Sequence, residues 1–310
     1  MFKLPNPPSP KADNRELADF AELLSWLRGT ISERELIAYL GRNDDNYNNI
    51  GGEDSDDENE QTLDEVMNEI EWRAEACGSG YPFNLTDQGT VLHYNTPLDG
   101  NQRSLIYRYL LLSTRLNMKD HRVHAGIDGT LILECLAAHV LKNYLGNIKA
   151  RAIVFGTSVG GRFEDRVENL CKNLCEGGGF QSLDNAPVQA SDDKLDTVAW
   201  IPFSDCQPGQ LIIFGQCKTG TNWEELKTQL QPIDFVKRWM RRPLIVDPIR
   251  ALCISEAADR AKWPSTCVSA GVLFDRCRIV DNCDGLEQKI EHEIRQWTTT
   301  AISEISSAFS

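Results

Sequence analysis

The stretch that most constrains this chain is LIIFGQCK at positions 211–218, an apolar run that ends in two polar residues flanking a cysteine. Alternation along a strand puts Ile212, Phe214, Gln216 and Lys218 on one face and Leu211, Ile213, Gly215 and Cys217 on the other. An exposed strand would not need so apolar a run on both faces, so this one belongs inside a sheet covered on each side. Gln216 and Lys218 then emerge side by side where a buried strand reaches the edge of its core, a common place for an active site in α/β sheets.

The rest of the sequence supplies neighbours and cover. The spacing of Leu17, Phe20, Leu23, Leu24 and Leu27 predicts a helix from Arg15 that stops at Gly29, and Thr30 or Ser32 can cap a second helix carrying Leu36, Ile37 and Leu40. Leu63, Val66, Met67 and Ile70 give a third, ending near Cys77-Gly78, and YPFNLTDQGTVLHYN reads as a hairpin turning at residues 87–89. Helices are expected over 101–116 and 130–145, the second closing at Gly146, with RAIVFG as a buried strand and a helix over 163–175 before a flexible Gly177-Gly178-Gly179 stop. Extended runs at 196–203 and 210–218 follow, then a helix from about Trp223, strands in RALCISEA and GVLFDRCRIVD, and a terminal amphipathic helix from Leu286. Alternating helices and strands predict an α/β protein with a mixed central sheet flanked by helices. Residues 1–14 are expected as a flexible lead-in, 15–100 as a smaller, mainly helical unit of adaptor or winged-helix-like type, and 101–310 as the α/β domain.

A chain of 310 residues with 41% apolar side chains can bury such a core. It has no apolar run of the roughly 20 residues that a membrane helix needs, and MFKLPNPPSPK lacks the apolar middle of a signal peptide. A soluble, cytoplasmic protein without membrane contact is therefore expected. The ten cysteines are scattered and read as reduced thiols; Cys171 with Cys175 and Cys277 with Cys283 could be combined into a zinc site, although no CxxC pair exists. The formal charge of −14 requires any nucleic-acid contact to be local, metal-assisted or shared with a partner. Much of the excess lies in 43–65, which reads as a solvated acidic loop or as an acidic tether that mimics nucleic acid or meets a basic partner.

Asp196 opens the extended run that precedes the Gln-Cys-Lys strand, and a hairpin would bring the two together. One carboxylate, one amide carbonyl and an ammonium suit phosphodiester hydrolysis with a divalent ion, Mg²⁺ or Mn²⁺, held by oxygen ligands. Lys218 is the candidate to orient or help deprotonate the attacking water. Glu134 sits in the apolar stripe of Leu131, Ala138, Leu141 and Leu145, so it must find a metal, a cation or donors there; it is either a ligand or an edge residue paired with Arg or Lys. Glu164 and Glu168 are weaker substitutes, and Asp193 is a rival to Asp196 if the register slips.

A helical Glu134, then Asp196, then strand-borne Gln216-Cys217-Lys218 resembles the PD-(D/E)XK restriction-endonuclease-like superfamily in its Mrr-like, Gln-x-Lys form. The resemblance covers about residues 129–223. It implies a restriction-endonuclease-like core, Asp196, Gln216 and Glu134 as metal ligands, Lys218 serving the attacking water, and DNA as substrate. It also implies a role in restricting foreign DNA; the charge balance and the lack of any visible sensor suggest the effector of a multi-protein system such as antiviral defence, activated by an ATPase or another regulatory partner. Two positions depart from the pattern: Gln216 stands where the family's second acidic residue is usual, and Leu195 precedes Asp196 where proline is frequent. A module that no longer cuts and serves as an assembly subunit, and a nuclease acting on RNA, are the alternatives.

Lys237, Arg238, Arg241 and Arg242 form the best basic patch in the chain, expected either to track a phosphate backbone, with Trp239 packing or stacking, or to be a solvated helix face. Thr219, Gly220, Asn222 and Trp223 are expected to cap the next helix more readily than to contact phosphate. His121 and His124 read as surface residues, and FGTSVGGRF lacks the ending of a phosphate loop. The terminal helix is amphipathic enough for a homo-oligomer interface.

Overall fold

A computed structural model describes residues 1–44, 54–156, 160–183 and 193–306. Helix α1 (Asn14–Arg28) is capped by Asp13, which accepts from the Arg15 and Glu16 N–H groups, and ends at Gly29 with φ 87°. Strand β1 (Thr30–Ser32) leads into α2 (Glu33–Asp44), where Ser32 and Glu35 cap reciprocally: each backbone N–H donates to the other's side chain. Of the expected acidic loop, residues 45–53 lie outside the described residues, and from Asp54 the chain is helical in α3 (Asp54–Cys77). The hairpin forms as β2 (Phe83–Thr86) and β3 (Val91–Tyr94), and β1 joins it in the order β1-β3-β2. Then come α4 (Gln102–Arg115), capped by Asn101, and a small ribbon of β4 (Val123–His124) and β5 (Ile127–Asp128).

The second half runs α5 (Gly129–Tyr144), β6 (Arg151–Val154), α6 (Phe163–Leu174), β7 (Thr197–Ile201), β8 (Leu211–Lys218), α7 (Trp223–Leu226) and α8 (Pro232–Trp239). It continues with β9 (Ile249–Ile254), α9 (Trp263–Ala270), β10 (Val272–Phe274), α10 (Arg276–Asp281) and α11 (Gln288–Ser306). Three expectations are corrected. The run 271–281 is extended only in β10 and turns helical in α10, α9 was not foreseen, and the glycine stop is built into the fold. Gly177, Gly178 and Gly179 all have positive φ, and this segment lies antiparallel to 239–242 through hydrogen bonds from the Arg241 and Arg242 N–H groups to the Gly179 and Gly177 carbonyls.

The described chain divides into two compact units, and the division is not one cut near residue 100. Unit 1 comprises Met1–Gly129, Arg276–Asp281 and Glu291–Ser310; unit 2 comprises Thr130–Asp275 and Asn282–Ile290. In unit 1 the supposed lead-in is anchored: Phe2 and Leu4 are buried, the Phe2 ring meets Phe20 edge-on, and Arg115 lies over it. His124 is buried too, its ring against Trp297 and its Nδ1 2.8 Å from Glu304, so it is not the surface residue expected.

Unit 2 holds a five-stranded mixed sheet in the order β10-β9-β8-β7-β6, parallel from β10 to β8 and antiparallel from β8 to β6. β8 is the central strand, as its two apolar faces require. Ile212 and Phe214 pack with Val198 and Trp200 of β7 against Val167, Leu170 and Leu174 of α6 and Phe235 and Val236 of α8. Each such fully buried large side chain contributes about 1.5–3 kcal/mol. The opposite face of β8 meets α5 so closely that a Cβ on Gly215 would fall 2.7 Å from Thr197 Cγ2 and 2.9 Å from Leu141 Cδ1. Gly215→Ala is therefore expected to destabilise unit 2 by about 1–3 kcal/mol through overpacking, read as a lower urea midpoint at unchanged slope; an unchanged midpoint would show that α5 yields freely.

Candidate functional site

The sheet ends at one place in a set of polar groups, and the backbone explains why. Asp196 is sewn between two strands: its carbonyl accepts the N–H groups of Phe155 and Gly156 (2.8 and 3.0 Å), and its own N–H donates to the Gly215 carbonyl (3.0 Å). Since Thr197 pairs with Gly215, Asp196 stands opposite Gln216 in the continuing register. Lys218 then occupies the diagonal position, about 7–8 Å away in such ladders.

The side chains follow from these positions. Asp196 is buried at 9% exposure, and its Oδ2 accepts the Cys217 N–H at 2.7 Å, replacing the next rung of the ladder by a side-chain bond. Gln216 is 1% exposed, its Nε2 lies 3.5 Å from Gln229 Oε1, and its Oε1 has no hydrogen-bond partner among the described residues. A buried, unsatisfied amide oxygen costs about 1–3 kcal/mol, which marks it as a position awaiting a donor or a cation. Lys218 is half-buried at the end of the strand.

Glu134 reaches the same region from α5. A Cβ on Gly156 would fall 2.5 Å from Glu134 Oε2, so the carboxylate rests on this glycine, whose N–H bonds Asp196. Arg166 of α6 pins that turn from the other side, its Nη1 donating to the Phe155 and Gly156 carbonyls at 2.9 and 2.7 Å while its guanidinium lies over the Phe155 ring. Both carboxylates act on the Cys217 thiol. A hydrogen bond with Cys253, burial and the nearby charges of Asp196 and Glu134 push its thiol well above the ordinary range, so it stays protonated and is no nucleophile.

Asp196 and Gln216 thus stand opposite one another at the end of the sheet with Lys218 two positions further along β8, and Glu134 approaches the Asp196 backbone through Gly156 from α5, on the face of β8 that carries Cys217. Two carboxylates and the Gln216 amide oxygen are hard oxygen donors, the type that a small divalent cation takes. Among the described residues no group of three or more His, Cys, Asp or Glu side chains is placed to hold a metal ion. Asp193 is no rival: it accepts from Trp239 Nε1 at 2.6 Å and pairs with Arg238. Glu168 is spent on the Phe180 N–H.

The loop after Lys218 corrects another expectation. Asn222 makes no side-chain cap on α7, and Trp223 is a core residue whose Nε1 donates to Glu256 at 2.7 Å. Ser255 ties this loop to β9, its N–H donating to the Lys218 carbonyl and its Oγ accepting from Gly220. The basic run divides between two elements. Lys237 and Arg238 are exposed on α8, and Arg241 and Arg242 are exposed on the segment paired with 177–179, where Arg241 Nε donates to the Phe180 carbonyl. Trp239 packs, stacked on Phe180 and edge-on to Phe163. The glycine-containing stretch at 157–159 lies outside the described residues.

Arg166 and Gly156 were missed by sequence reasoning. The only signal for Arg166 was a cation beside the apolar face of Phe163, Val167 and Leu170, which is common at helix edges. No helix among the described residues is long and apolar enough to cross a membrane. Neither a protein-family model, nor a curated protein, nor a solved structure matches the chain.

Proposed function

We propose that the protein is a metal-dependent DNA endonuclease with a restriction-endonuclease-like core, in which Asp196, Gln216 and Glu134 hold Mg²⁺ or Mn²⁺. The observation that carries this reading is the buried Gln216 Oε1, without a partner among the described residues, opposite Asp196 at the end of a central strand. When bound, the cation would polarise the scissile phosphate and acidify a water. Asp196 and Gln216 orient their oxygens from backbone-anchored strands, and Glu134 adds negative charge from α5. Lys218 offsets charge building on the phosphate oxygens and orients the attacking water.

Lys237, Arg238, Arg241 and Arg242 supply a local cationic track on a chain of net charge −14. That imbalance makes a cytoplasmic effector of a multi-protein restriction or antiviral defence system, activated by an ATPase or other regulatory partner, the natural setting. The second reading is a nuclease-fold assembly subunit that does not cut; it is favoured by the Asp196 Oδ2 already engaged by the Cys217 N–H.

Supercoiled plasmid and a structured RNA incubated in parallel with Mg²⁺ or Mn²⁺, with EDTA as control, decide between them. Metal-dependent nicking of the plasmid is the expected result. Cleavage of RNA alone would replace the substrate. Inert protein, both by itself and with its genomic neighbours, would favour the assembly subunit.

A further inference from the structure

At the end of the sheet remote from Gln216, two cysteines that the proposed chemistry does not use face one another. Cys175 follows the last turn of α6 in the left-handed conformation, with φ 54° and ψ 22°, and Cys206 lies in the turn between β7 and β8, also with φ 54°. Both are exposed, whereas Cys77, Cys171, Cys253, Cys277 and Cys283 are buried. Partial enclosure and the neighbouring Cys206 side chain push the Cys175 thiol above its ordinary value, and its Sγ donates to the Lys172 carbonyl at 3.8 Å. Cys175 and Cys206 line one cleft of about 450 Å³ with Lys149, Arg151, Phe203 and Gln210. The Arg151 guanidinium acts on the Cys175 sulfur in the opposite sense, favouring its anion, as a cation beside a thiol does.

We propose that Cys175 and Cys206 form a vicinal dithiol site that reacts with peroxide-class oxidants to give an intramolecular disulfide. The proposal does not rest on the nuclease reading. In the first step the Cys206 sulfur attacks the peroxide O–O bond, giving Cys206 sulfenic acid and one molecule of water or alcohol. In the second, the Cys175 sulfur displaces the hydroxyl from Cys206, its proton leaving with it as water, so two thiols are oxidised and one peroxide is reduced. The bridge would tie the C-terminal end of α6 to the β7–β8 turn within unit 2, both ends lining one cleft before reaction.

Cys217 and Cys253 provide an internal comparison. They are registered partners on adjacent strands and are also hydrogen-bonded, but Cys253 is buried and Cys217 only partly exposed, whereas Cys175 and Cys206 are both exposed.

The test uses the full chain. After brief hydrogen peroxide treatment and quenching, the protein is denatured, its remaining thiols are alkylated, and the products are read by intact mass and peptide mapping. The expected result is two fewer alkylated sites than the ten cysteines allow, reversed by a thiol reductant. The linked peptide should join Cys175 to Cys206, with fragmentation excluding Cys217, which shares the Cys206 tryptic fragment. A rise in the melting temperature of roughly 5 °C or more, lost on reduction, should accompany it, since the bridge closes a long loop. Cys206→Ser should abolish the linked species and leave at most a singly oxidised Cys175. Retention of all ten alkylatable thiols, or a bridge through any other pair, would overturn the proposal. Since Cys175→Ser is tested separately, a folding defect in one variant does not remove the test.

Discussion

Lys218→Ala is expected to lower metal-dependent plasmid cleavage by about 10²–10⁴-fold while leaving DNA binding and the unfolding midpoint close to those of the parent protein. The side chain is half-buried at the end of β8. Asp196→Asn is the companion variant. Its amide oxygen can still accept the Cys217 N–H, so the strand pairing survives while the charge that would hold the cation is lost. Cleavage should fall by a similar factor and respond to higher metal concentration. Gln216→Glu should move the metal requirement the other way, toward lower concentration, because a carboxylate replaces a neutral ligand. The measurements are initial nicking rates across a Mg²⁺ titration, with circular dichroism melts as the folding control. If Lys218→Ala and Asp196→Asn both cut like the parent, the activity resides elsewhere on the chain.

Asp19→Ala should cost unit 1 about 3–5 kcal/mol, a large part of the roughly 5–15 kcal/mol that holds a domain together. Asp19 is completely buried and accepts from Arg73 Nη1 at 2.8 Å, Arg115 Nε at 2.6 Å and Arg276 Nη1 at 2.7 Å. Glu22 completes the network, accepting from Arg73 and from the hydroxyls of Tyr81 and Tyr107. Removing Asp19 strands three guanidiniums with one carboxylate fewer. Chemical denaturation measures the loss, and a shift below about 1 kcal/mol would mean that water or the neighbouring carboxylates replace it.

The same residue carries a pH signature. Burial alone would raise its pKa, but Arg276, Arg115 and Arg73 overturn that and hold the carboxyl well below its ordinary value of 3.8. Its stabilising contribution is therefore present in full above pH 3.8 and disappears only as the pH falls further, toward the depressed value of the folded state. Stability plotted from pH 7 to 3 should show this part of the acid loss in the parent and lack it in Asp19→Ala.

Local signals carried much of the architecture into the sequence. Helix α1 is legible because its apolar spacing, Asp13 cap and Gly29 stop agree, and β8 because both of its faces are apolar over four residues and then turn polar together. From that alternation alone Gln216 and Lys218 share a face, and Asp196 is placed at the start of a neighbouring run.

Other features depended on partners distant in the chain. RCRIVD looks extended by composition, yet it is helical where Arg276 is drawn into the buried carboxylates of Asp19 and Glu22, more than 250 residues earlier. Phe2 and Leu4 look like part of a proline-rich tail until Phe20 and Arg115 cover Phe2. At the candidate site, the sequence could name Glu134, Asp196, Gln216 and Lys218 but not Gly156 and Arg166, whose roles arise only when a turn is pressed between α5 and α6. Periodicity reports which face of an element is buried, since that depends on neighbours three, four or two residues away. Which buried groups meet, and which oxygen is left without a partner, is decided by contacts across the sheet and between helices, and these leave no periodic trace.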